Sequence, residues 1–366
     1  MPYRKSKTAF KKISDIFLPL FFLYLFLLGI ELLNCSLKGF GTGFARMLIS
    51  TTSNPLTGLF IGLLVTSLIQ SSSVTTSLTV GFVAAGTITV SNAIPIVMGA
   101  NIGTTITCVI ASFGHFSVEK EFSKAFPAAI VHDIFNVLSV IVFLPVELLF
   151  HPIERLSLLL TGFLLGKGGL TFHSPLDIMI DPISVRIVGL FNKHYFILAF
   201  LSLLIVVFAI TFFVKFLRKA SAEKFESLID RYLFRNPFTA GLLGLGLTAF
   251  VQSSSITTSL VVSLVGTQLT TIEKIFPYTL GANLGTTVTA ILAALVTGNV
   301  NAITVALCHS IFNLFGITVW YPLRRIPIFL AKKFGELSGR KRLLAFIYII
   351  TIFMITPVIA IFVIGR

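Results

Sequence analysis

The chain carries QSSSVTTS at residues 70–77 and QSSSITTS at residues 252–259, two polar octets set inside long apolar runs. Of its 366 residues, 55% are hydrophobic, 11% are charged and 37 are phenylalanine. A soluble globular chain has about 25% charged residues, so this composition indicates a protein whose outer surface faces lipid. Polar octets in such a chain need a specific reason to be buried in its apolar segments.

The octets belong to an internal duplication with a period of 182 residues. From Gln70 to Phe113, 20 of 44 residues are identical to the residues 182 positions later, without a gap. The other recurring motifs are GANIGTT at 99–105 with GANLGTT at 281–287, and HDIFN at 132–136 with HSIFN at 309–313. A repeat of this length predicts two structural units of the same kind.

Several apolar runs are long enough to cross a bilayer, since about 20 helical residues span the hydrocarbon region. Simple spans are predicted at 13–33, 125–149, 195–216 and 343–364. Of the 28 Lys and Arg residues, five lie in 1–14, six in 215–235 and seven in 324–342. Because basic connectors face the cytoplasm, the net charge of +14 indicates topology and not nucleic-acid binding. The amino terminus is therefore expected in the cytoplasm, followed by a retained first span.

The same charge distribution predicts that the two repeats cross the membrane in opposite directions. One span precedes the first repeat, which then starts outside, whereas the basic linker at 215–235 starts the second repeat inside. Inverted repeats build many secondary transporters, with sites near the midplane between the repeats. Consistent closure requires a re-entrant hairpin, a broken span and a simple span in each repeat. These are predicted at 55–85, 92–113 and 125–149, and again at 237–266, 272–296 and 302–322.

The predicted fold class is an all-α polytopic membrane protein with two inverted-topology repeats, each with a re-entrant helical hairpin and a broken transmembrane helix. Residues 154–170 are short and glycine-rich for a span, so we expect them to be interfacial or re-entrant. The predicted segments are the amino terminus with the first span (1–54), the first repeat (55–149), an inter-repeat segment (150–236), the second repeat (237–322) and a basic loop with the last span (323–366).

A helix break at membrane depth leaves backbone groups without partners, which costs several kcal/mol each unless the break lines a site. Ser71–Ser73 would begin a helix, where free N–H groups and the helix dipole favour an anion. Hydroxyl and amide oxygens also ligate hard cations such as Na⁺. Residues 70–113 contain no Lys or Arg, and residues 252–295 contain only Lys274. A bound cation would have to offset the charge of an anion here, which favours cotransport.

The serine and threonine residues of the octets allow three other interpretations: simple packing, an anion channel and a membrane enzyme. Serine and threonine in membrane helices often only pack or bond to a carbonyl of the preceding turn, but two copies in inverted halves favour a site. An anion channel is disfavoured, because continuous conduction does not need two nearly identical discontinuous sites. A membrane enzyme is disfavoured because the repeats contain no carboxylate pair and no metal-ligand spacing.

The HDIFN and HSIFN motifs place ionisable and amide side chains inside predicted spans, where such residues are functional candidates. His132 and His309 could contact a ligand, or could form a structural hydrogen bond to the hairpin of the other half. Asp133 has no acidic counterpart in the second repeat, so its role is not symmetric. Asn136 and Asn313 lie one turn beyond the histidines and have the same two alternatives.

At these motifs the chain resembles the type II sodium–phosphate cotransporters. The motifs that carry the resemblance are the paired QSSS, IPIVMGANIGTTIT at 94–107, VHDIFN at 131–136, TLGANLGTTVTAILAAL at 279–295 and ALCHSIFN at 306–313. The resemblance covers residues 55–149 and 237–334 and implies Na⁺-driven symport of inorganic phosphate by alternating access, not an enzyme activity. It implies no cofactor beyond the co-transported Na⁺.

The resemblance also implies a set of site residues on the two hairpins and the facing broken spans. For phosphate and sodium these are Gln70, Ser71, Ser72, Ser73, Thr75, Asn101, Thr104, Thr105, Gln252, Ser253, Ser254, Ser255, Thr257, Asn283, Thr286 and Thr287. The expected sodium ligands among them are Gln70, Ser73, Asn101, Gln252, Ser255 and Asn283. Supporting roles are expected for His132, Asp133, Asn136, His309 and Asn313.

A sodium-independent phosphate facilitator or exporter would use the same site and is the alternative function. Animal members of the family have a large disulfide-bonded loop between the repeats, whereas residues 150–194 here are few and contain no cysteine. We therefore expect a minimal transporter core in a bacterial inner membrane. The expected partners are inorganic phosphate, Na⁺ and the lipid bilayer, with homo-oligomerisation allowed and nucleic acid excluded.

Overall fold

The computed structural model describes residues 2–40, 52–165, 177–209, 212, 236–340 and 342–365, and this part of the chain is helical with no strand. The helices that precede the second repeat are α1 (Pro2–Gly39), α2 (Pro55–Ile69), α3 (Ser72–Ala84), α4 (Val90–Gly103), α5 (Ile106–Ser112), α6 (Glu119–Phe150), α7 (Pro152–Leu165), α8 (Asp177–Leu190) and α9 (Tyr195–Ala209). The remaining helices are α10 (Pro237–Val251), α11 (Ser254–Gly266), α12 (Ile272–Gly285), α13 (Thr287–Thr297), α14 (Val300–Trp320), α15 (Arg325–Arg340), α16 (Leu343–Ile350) and α17 (Thr356–Ile364). A 3₁₀ turn, Phe113–His115, follows α5, and a π-helical turn, Thr351–Ile355, joins α16 to α17.

Six helical segments in the described part of the chain are long and apolar enough to cross a membrane. They are Leu20–Gly39, Val90–His115, Glu119–Phe150, Ile272–Thr297, Val300–Trp320 and Leu343–Ile364. The expectation of a polytopic all-α membrane protein is therefore confirmed. The predicted span at 195–216 is described as the shorter helix α9, and most of its last residues lie outside the described part of the chain.

The internal duplication is visible in the helix bounds. Shifting α2, α3 and α4 by 182 residues reproduces the first and last residues of α10, α11 and α12 without any offset. α5 and α13 correspond less closely, since α13 begins one residue earlier in the register and extends further. Two sequences that share 20 of 44 residues thus form the same series of helices, and the broken spans are broken at the same place.

The octets form the tips of two helical hairpins. The first arms, α2 and α10, each begin with a proline after an asparagine whose side chain accepts a backbone N–H bond, a favoured helix start. They end at Gln70 and Gln252, which have left-handed φ angles of 57° and 58°. Ser71 and Ser253 are extended and precede the second arms. The turn at each tip is thus only two residues long, because the second arms already begin at the next serine.

Each first arm lies directly against the broken helix of its own repeat. A Cβ added to Gly99 would lie 1.9 Å from the carbonyl oxygen of Leu59, and one added to Gly281 would lie 1.9 Å from that of Gly241. Only glycine permits this backbone approach. The pairs α2–α4 and α10–α12 are therefore packed backbone to backbone, which fixes each hairpin tip relative to the break in the neighbouring helix.

The broken spans are interrupted later in the GANxGTT motifs than their glycines suggest. α4 ends at Gly103 and α5 begins at Ile106, so Thr104 and Thr105 form the first break. In the second repeat the helix restarts directly after Thr286. The asparagines of both motifs consequently lie within the last turn of a helix, and their side chains have defined directions.

The inter-repeat segment begins with α7, which packs against α14 of the second repeat. Glu147 accepts backbone N–H bonds from Ile153 at 2.7 Å and Glu154 at 3.0 Å, and so caps the start of α7. Thr161 and Thr304 hydroxyls lie 3.1 Å apart across the α7–α14 contact. The predicted segment 154–170 is helical as far as residue 165, and its last residues lie outside the described part of the chain.

Candidate functional site

The two hairpin tips meet in the interior of the protein. Ser73 Oγ donates to the backbone carbonyl oxygen of Gln252 at 3.2 Å. Thr104 Oγ1, in the first break, accepts from Ser72 Oγ at 3.2 Å and lies 3.4 Å from Ser255 Oγ. One threonine hydroxyl therefore contacts a serine from each tip, and the octets lie in one polar cluster despite their separation along the chain.

Each hairpin is closed by the same pair of threonines. Thr66 Oγ1 donates to Thr75 Oγ1 at 2.9 Å in the first hairpin. Thr248 and Thr257 hydroxyls lie 2.6 Å apart in the second. These bonds join the last turn of one arm to the first turn of the other, which makes each tip narrow. Thr75 and Thr257 are thus placed to hold the tip closed.

Beside the tips, the histidines and asparagines of both repeats form a buried hydrogen-bond network. His309 Nε2 donates to Asn101 Oδ1 at 2.9 Å, and His132 Nε2 donates to Asn283 Oδ1 at 3.0 Å. Each bond joins one repeat to the other. One alternative expected for the histidines was a hydrogen bond to the hairpin of the other half. The structure shows a bond to the broken helix of the other half instead, whose asparagine lies in the last turn before the break.

The remaining asparagines complete this network. Asn313 Oδ1 accepts from Asn101 Nδ2 at 3.1 Å and from Asn283 Nδ2 at 2.6 Å. Asn136 Oδ1 accepts from Asn283 Nδ2 at 2.9 Å. All four asparagines are at most 1% exposed, so the network is an internal joint between repeats. Burial without partners would cost several kcal/mol per group, which explains why every amide here is paired.

Asp133 lies outside the network and is bound differently. Its carboxylate accepts from Thr105 Oγ1 at 3.0 Å and from the hydroxyl of Tyr348 in α16. Thr105 is one of the two residues of the first break, so the Asp133 carboxylate stabilises the break by a hydrogen bond from α6. The equivalent residue of the second repeat, Ser310, donates to the carbonyl oxygen of Ala306 in its own helix at 3.4 Å, so the two positions have different partners.

Some residues predicted for the site are not in the cluster. Thr286 and Thr287 hydroxyls donate to carbonyl oxygens of their own helix turn. The Gln70 side chain is exposed, and Ser71 Oγ accepts from the backbone N–H of Val74 at 3.3 Å as a helix cap. At the first tip, Ser71 therefore caps its own helix and Gln70 points away from the polar cluster.

At the second tip, the leading glutamine is buried and hydrogen-bonded, unlike Gln70 of the first tip. Gln252 is 5% exposed, and its side-chain oxygen accepts from Thr289 Oγ1. Thr289 Oγ1 also lies 3.3 Å from Ser73 Oγ of the first tip. The equivalent residue of the first repeat, Thr107, has a buried hydroxyl with no hydrogen-bond partner among the described residues. Identical sequence positions thus have different partners in the two repeats.

Sequence reasoning did not single out Thr289 or Thr107. The signal was available, because both repeats extend the motif to Gly-Thr-Thr-x-Thr, at 103–107 and 285–289. Helical spacing places the last threonine of this motif one turn below the break. We therefore add both threonines to the candidate site.

The second tip also has free donor groups. Ser253 makes no side-chain cap bond at the start of α11. Ser254 Oγ is buried and has no partner in the part of the chain that the structure describes. The first N–H groups of a helix lack intrahelical acceptors, and they favour an anion together with the helix dipole. The arrangement can therefore bind an oxyanion at the second tip and a hard cation at the surrounding oxygens.

Comparison with known proteins gives a family for this chain. The model of a family described as Na⁺/Pi-cotransporter matches residues 25–166 and 205–331. The chain is similar to sodium-dependent phosphate transport protein 2B of Pongo abelii, with 34% identity over 96% of this chain and 66% of the relative. It is also similar to the 2B protein of Homo sapiens, with 34% identity over 95% and 65%, and to the 2A protein of Rattus norvegicus, with 33% identity over 94% and 67%.

The chain thus spans about two thirds of the length of these relatives, and slightly less for the two 2B proteins. No solved structure matches the chain.

Proposed function

The chain belongs to the Na⁺/Pi-cotransporter family, and we propose that it moves inorganic phosphate across a membrane together with Na⁺. The observation that carries this proposal is the contact between the two octets, in which Ser73 bonds to Gln252. A site that contains oxygen ligands and free N–H donors but no basic residue in 70–113 can hold an anion only with cations beside it. The relatives named for sodium-dependent phosphate transport support both ions.

We place phosphate at the second tip. Ser254 Oγ has no hydrogen-bond partner within the described residues, and Ser253 makes no side-chain cap bond to the first N–H groups of α11, so an oxyanion would complete the hydrogen bonds at this helix start. The first tip is less suitable, because Ser71 already caps its helix and Ser72 already donates to Thr104. Hydrogen bonds to a charged group contribute about 1.5–3 kcal/mol each, so these donors would strengthen phosphate binding beside the bound cations.

Na⁺ is assigned to the oxygens around the tip contact. Gln252, Ser73 and Ser255 provide amide, hydroxyl and carbonyl oxygens close together, which is the ligand type that hard cations require. Asn101 and Asn283 each accept one bond from a histidine, which orients the amide and leaves a second lone pair. Coupling follows because each bound ion lowers the cost of binding the other, and such coupling is reciprocal.

The difference between Thr289 and Thr107 supports transport by alternating access. If the repeats are inverted, the contact that closes one side of the membrane in the second repeat has an equivalent that would close the other side. Here the Gln252–Thr289 contact is made and Gln70 is exposed, with Thr107 unpaired. In the opposite state Gln70 would bond to Thr107, and Gln252 would be released.

Phosphate uptake into proteoliposomes tests this function. With an inward Na⁺ gradient we expect accumulation above equilibrium, and with K⁺ replacing Na⁺ we expect none. Ser254→Ala should raise the phosphate concentration for half-maximal uptake by about tenfold or more, because one hydrogen bond to a charged group is lost. Ser259→Ala is the matched control from the same octet, since its hydroxyl donates to the carbonyl oxygen of Ser255 one turn earlier in α11, at 2.6 Å, and does not lie at the hairpin tip.

Equilibration that is independent of Na⁺ would contradict symport and favour the sodium-independent facilitator or exporter. An unchanged phosphate dependence in Ser254→Ala would contradict the assignment of phosphate to the second tip. In equilibrium binding measurements, Na⁺ should also lower the dissociation constant of phosphate by the same factor by which phosphate lowers that of Na⁺.

A further inference from the structure

Helix α15 has the surface of a helix that lies along a membrane. Residues 324–342 contain seven Lys and Arg and one acidic residue, Glu336. Large apolar side chains on α15 are also exposed: Phe329 is 61% and Leu337 is 54% exposed. Basic and apolar side chains together on an exposed helix are typical of helices at the lipid headgroup level.

The two kinds of side chain occupy separate edges of α15. At about 100° per residue, the buried face is centred on Ala331, which is fully buried. The exposed apolar side chains on one edge are Ile326, Leu330 and Leu337. The basic side chains on the other edge are Arg325 and Lys332, and Lys333 lies on the outer face between the two edges. One edge is thus suited to acyl chains and the other to phosphate groups.

The buried face fixes α15 rigidly to the transport core. A Cβ on Gly335 would lie 2.0 Å from Pro127 Cγ, so the backbone of α15 rests on α6. Lys332 forms an ion pair with Glu273, the second residue of the broken helix α12. The surface helix is therefore joined directly to the helix that carries Asn283.

A cavity of about 420 Å³ lies between α15, α6 and the loop before α12. Its charged lining consists of Lys124, Lys332, Glu273 and Glu336, and Thr270 is among its polar residues. Thr270 is 7% exposed, and its hydroxyl has no hydrogen-bond partner among the described residues. Because Lys332 is paired with Glu273, the Lys124 ammonium and the Thr270 hydroxyl are the groups suited to a phosphodiester, while Glu336 can accept from hydroxyl groups attached to it.

We propose that this cavity and the basic edge of α15 bind an anionic phospholipid of the glycerol headgroup type, with its acyl chains along the apolar edge. The phosphodiester contacts Lys124 and Thr270, and Lys333 faces the surrounding anionic surface. Because Lys332 and Glu273 connect α15 to α12, the bound lipid stabilises the position of the broken helix. The inference goes beyond phosphate transport, since neither Na⁺ nor phosphate takes part in it.

The experiment measures lipid selectivity at α15 without transport. The sequence has one tryptophan, so Trp320→Phe with Phe329→Trp gives a single fluorescent reporter on the exposed surface of α15. The full chain is reconstituted in phosphatidylcholine that contains increasing fractions of bromine-labelled phosphatidylglycerol, phosphatidylethanolamine or phosphatidylcholine. Bromine quenches the reporter only when the labelled lipid lies beside it, and bromine-free lipid of the same composition is the reference.

We expect phosphatidylglycerol to quench at much lower fractions than the two zwitterionic lipids. Lys124→Gln with Lys333→Gln should weaken this preference about 30-fold, because each basic residue near an anionic surface strengthens binding roughly fivefold. The matched control, Arg186→Gln, removes an exposed positive charge on α8 and should leave the preference unchanged. Equal quenching by all three lipids, a preference for phosphatidylethanolamine, or an unchanged preference in the double variant would each overturn the proposal. Since no Na⁺ or phosphate is added, these outcomes are independent of the proposed transport.

Discussion

Thr289 and Thr107 occupy the same position in two nearly identical motifs, yet Thr289 Oγ1 contacts both Gln252 and Ser73 whereas Thr107 Oγ1 is buried without a partner among the described residues. Local sequence does not cause the difference, because each threonine ends a Gly-Thr-Thr-x-Thr motif. It results from the arrangement of the two halves. The two equivalent threonines therefore have different hydrogen-bond partners in this structure.

Removing the Thr289 hydroxyl should release the second tip. In Thr289→Val, Gln252 loses a hydrogen bond worth about 1 kcal/mol, and a cysteine at the neighbouring position, Ser253→Cys, should react with a water-soluble thiol reagent several-fold faster. The measurement is the labelling rate in a Cys35→Ser background, since the other two cysteines are buried. Thr107→Val is the matched control from the first repeat and should leave the rate unchanged. Equal acceleration by both variants would contradict the assignment.

The contact between the tips should be trapped by a disulfide. Ser73 Oγ and Thr289 Oγ1 lie 3.3 Å apart, so Ser73→Cys with Thr289→Cys should cross-link on mild oxidation and stop phosphate uptake. Reduction should restore whatever uptake the reduced double variant has. The pair Ser77→Cys with Thr289→Cys, which lacks this contact, is the control. Cross-linking without loss of uptake would show that the tips need not separate during transport.

The close contacts at glycine should be sensitive to a single methyl group. Gly281→Ala places a Cβ 1.9 Å from the carbonyl oxygen of Gly241, and overpacking of this kind costs about 1–3 kcal/mol or more. We expect a Tm lower by several degrees, or loss of folded protein, in detergent. Gly246→Ala is the control in the same helix pair, because its added methyl meets nothing within 4 Å. Alanine favours a helix by about 1 kcal/mol over glycine, so the control should keep or raise the Tm.

The bonds between histidine and asparagine should couple the two repeats energetically. His309→Ala and Asn101→Ala each remove one partner of a buried bond, and each should cost about 1–3 kcal/mol. In a double-mutant cycle the two changes should interact by at least about 0.5 kcal/mol. The measurement is the free energy of unfolding in detergent. Asn101→Ala with His115→Ala should be additive, because His115 bonds to Glu121 and not to the network. Additivity in the first pair would contradict the role of this joint.

Much of this architecture could be predicted from the sequence, for specific reasons. The duplication gives two independent views of each feature, so the hairpins at Gln70 and Gln252 and the broken spans were placed to within a few residues. Asparagine before proline at the start of both first arms is a strong local signal. The position of the helix breaks was less certain, because glycine weakens a helix without ending it.

Other features depend on packing and could not be derived from the local pattern. The histidines bond to the broken helix of the opposite repeat, over sequence separations of 151 and 208 residues. Nothing in HDIFN or HSIFN specifies such a partner. The different environments of Gln70 and Gln252 were also beyond reach, since both lie in the same sequence, QSSS. Their side-chain environments are set by which tip is covered by the other half.

The glycine contacts of α2 with α4 and of α10 with α12 also limit how the molecule can deform. When two backbones touch with no side chain between them, one helix cannot slide along the other without collision, so each pair behaves as a single rigid beam. A hairpin arm and its broken helix must then turn together, and the only compliant places are the tips, the breaks and the connecting loops. If the interior opens, we therefore expect each hairpin arm to move together with its broken helix, with the change concentrated at the tips, the breaks and the connecting loops.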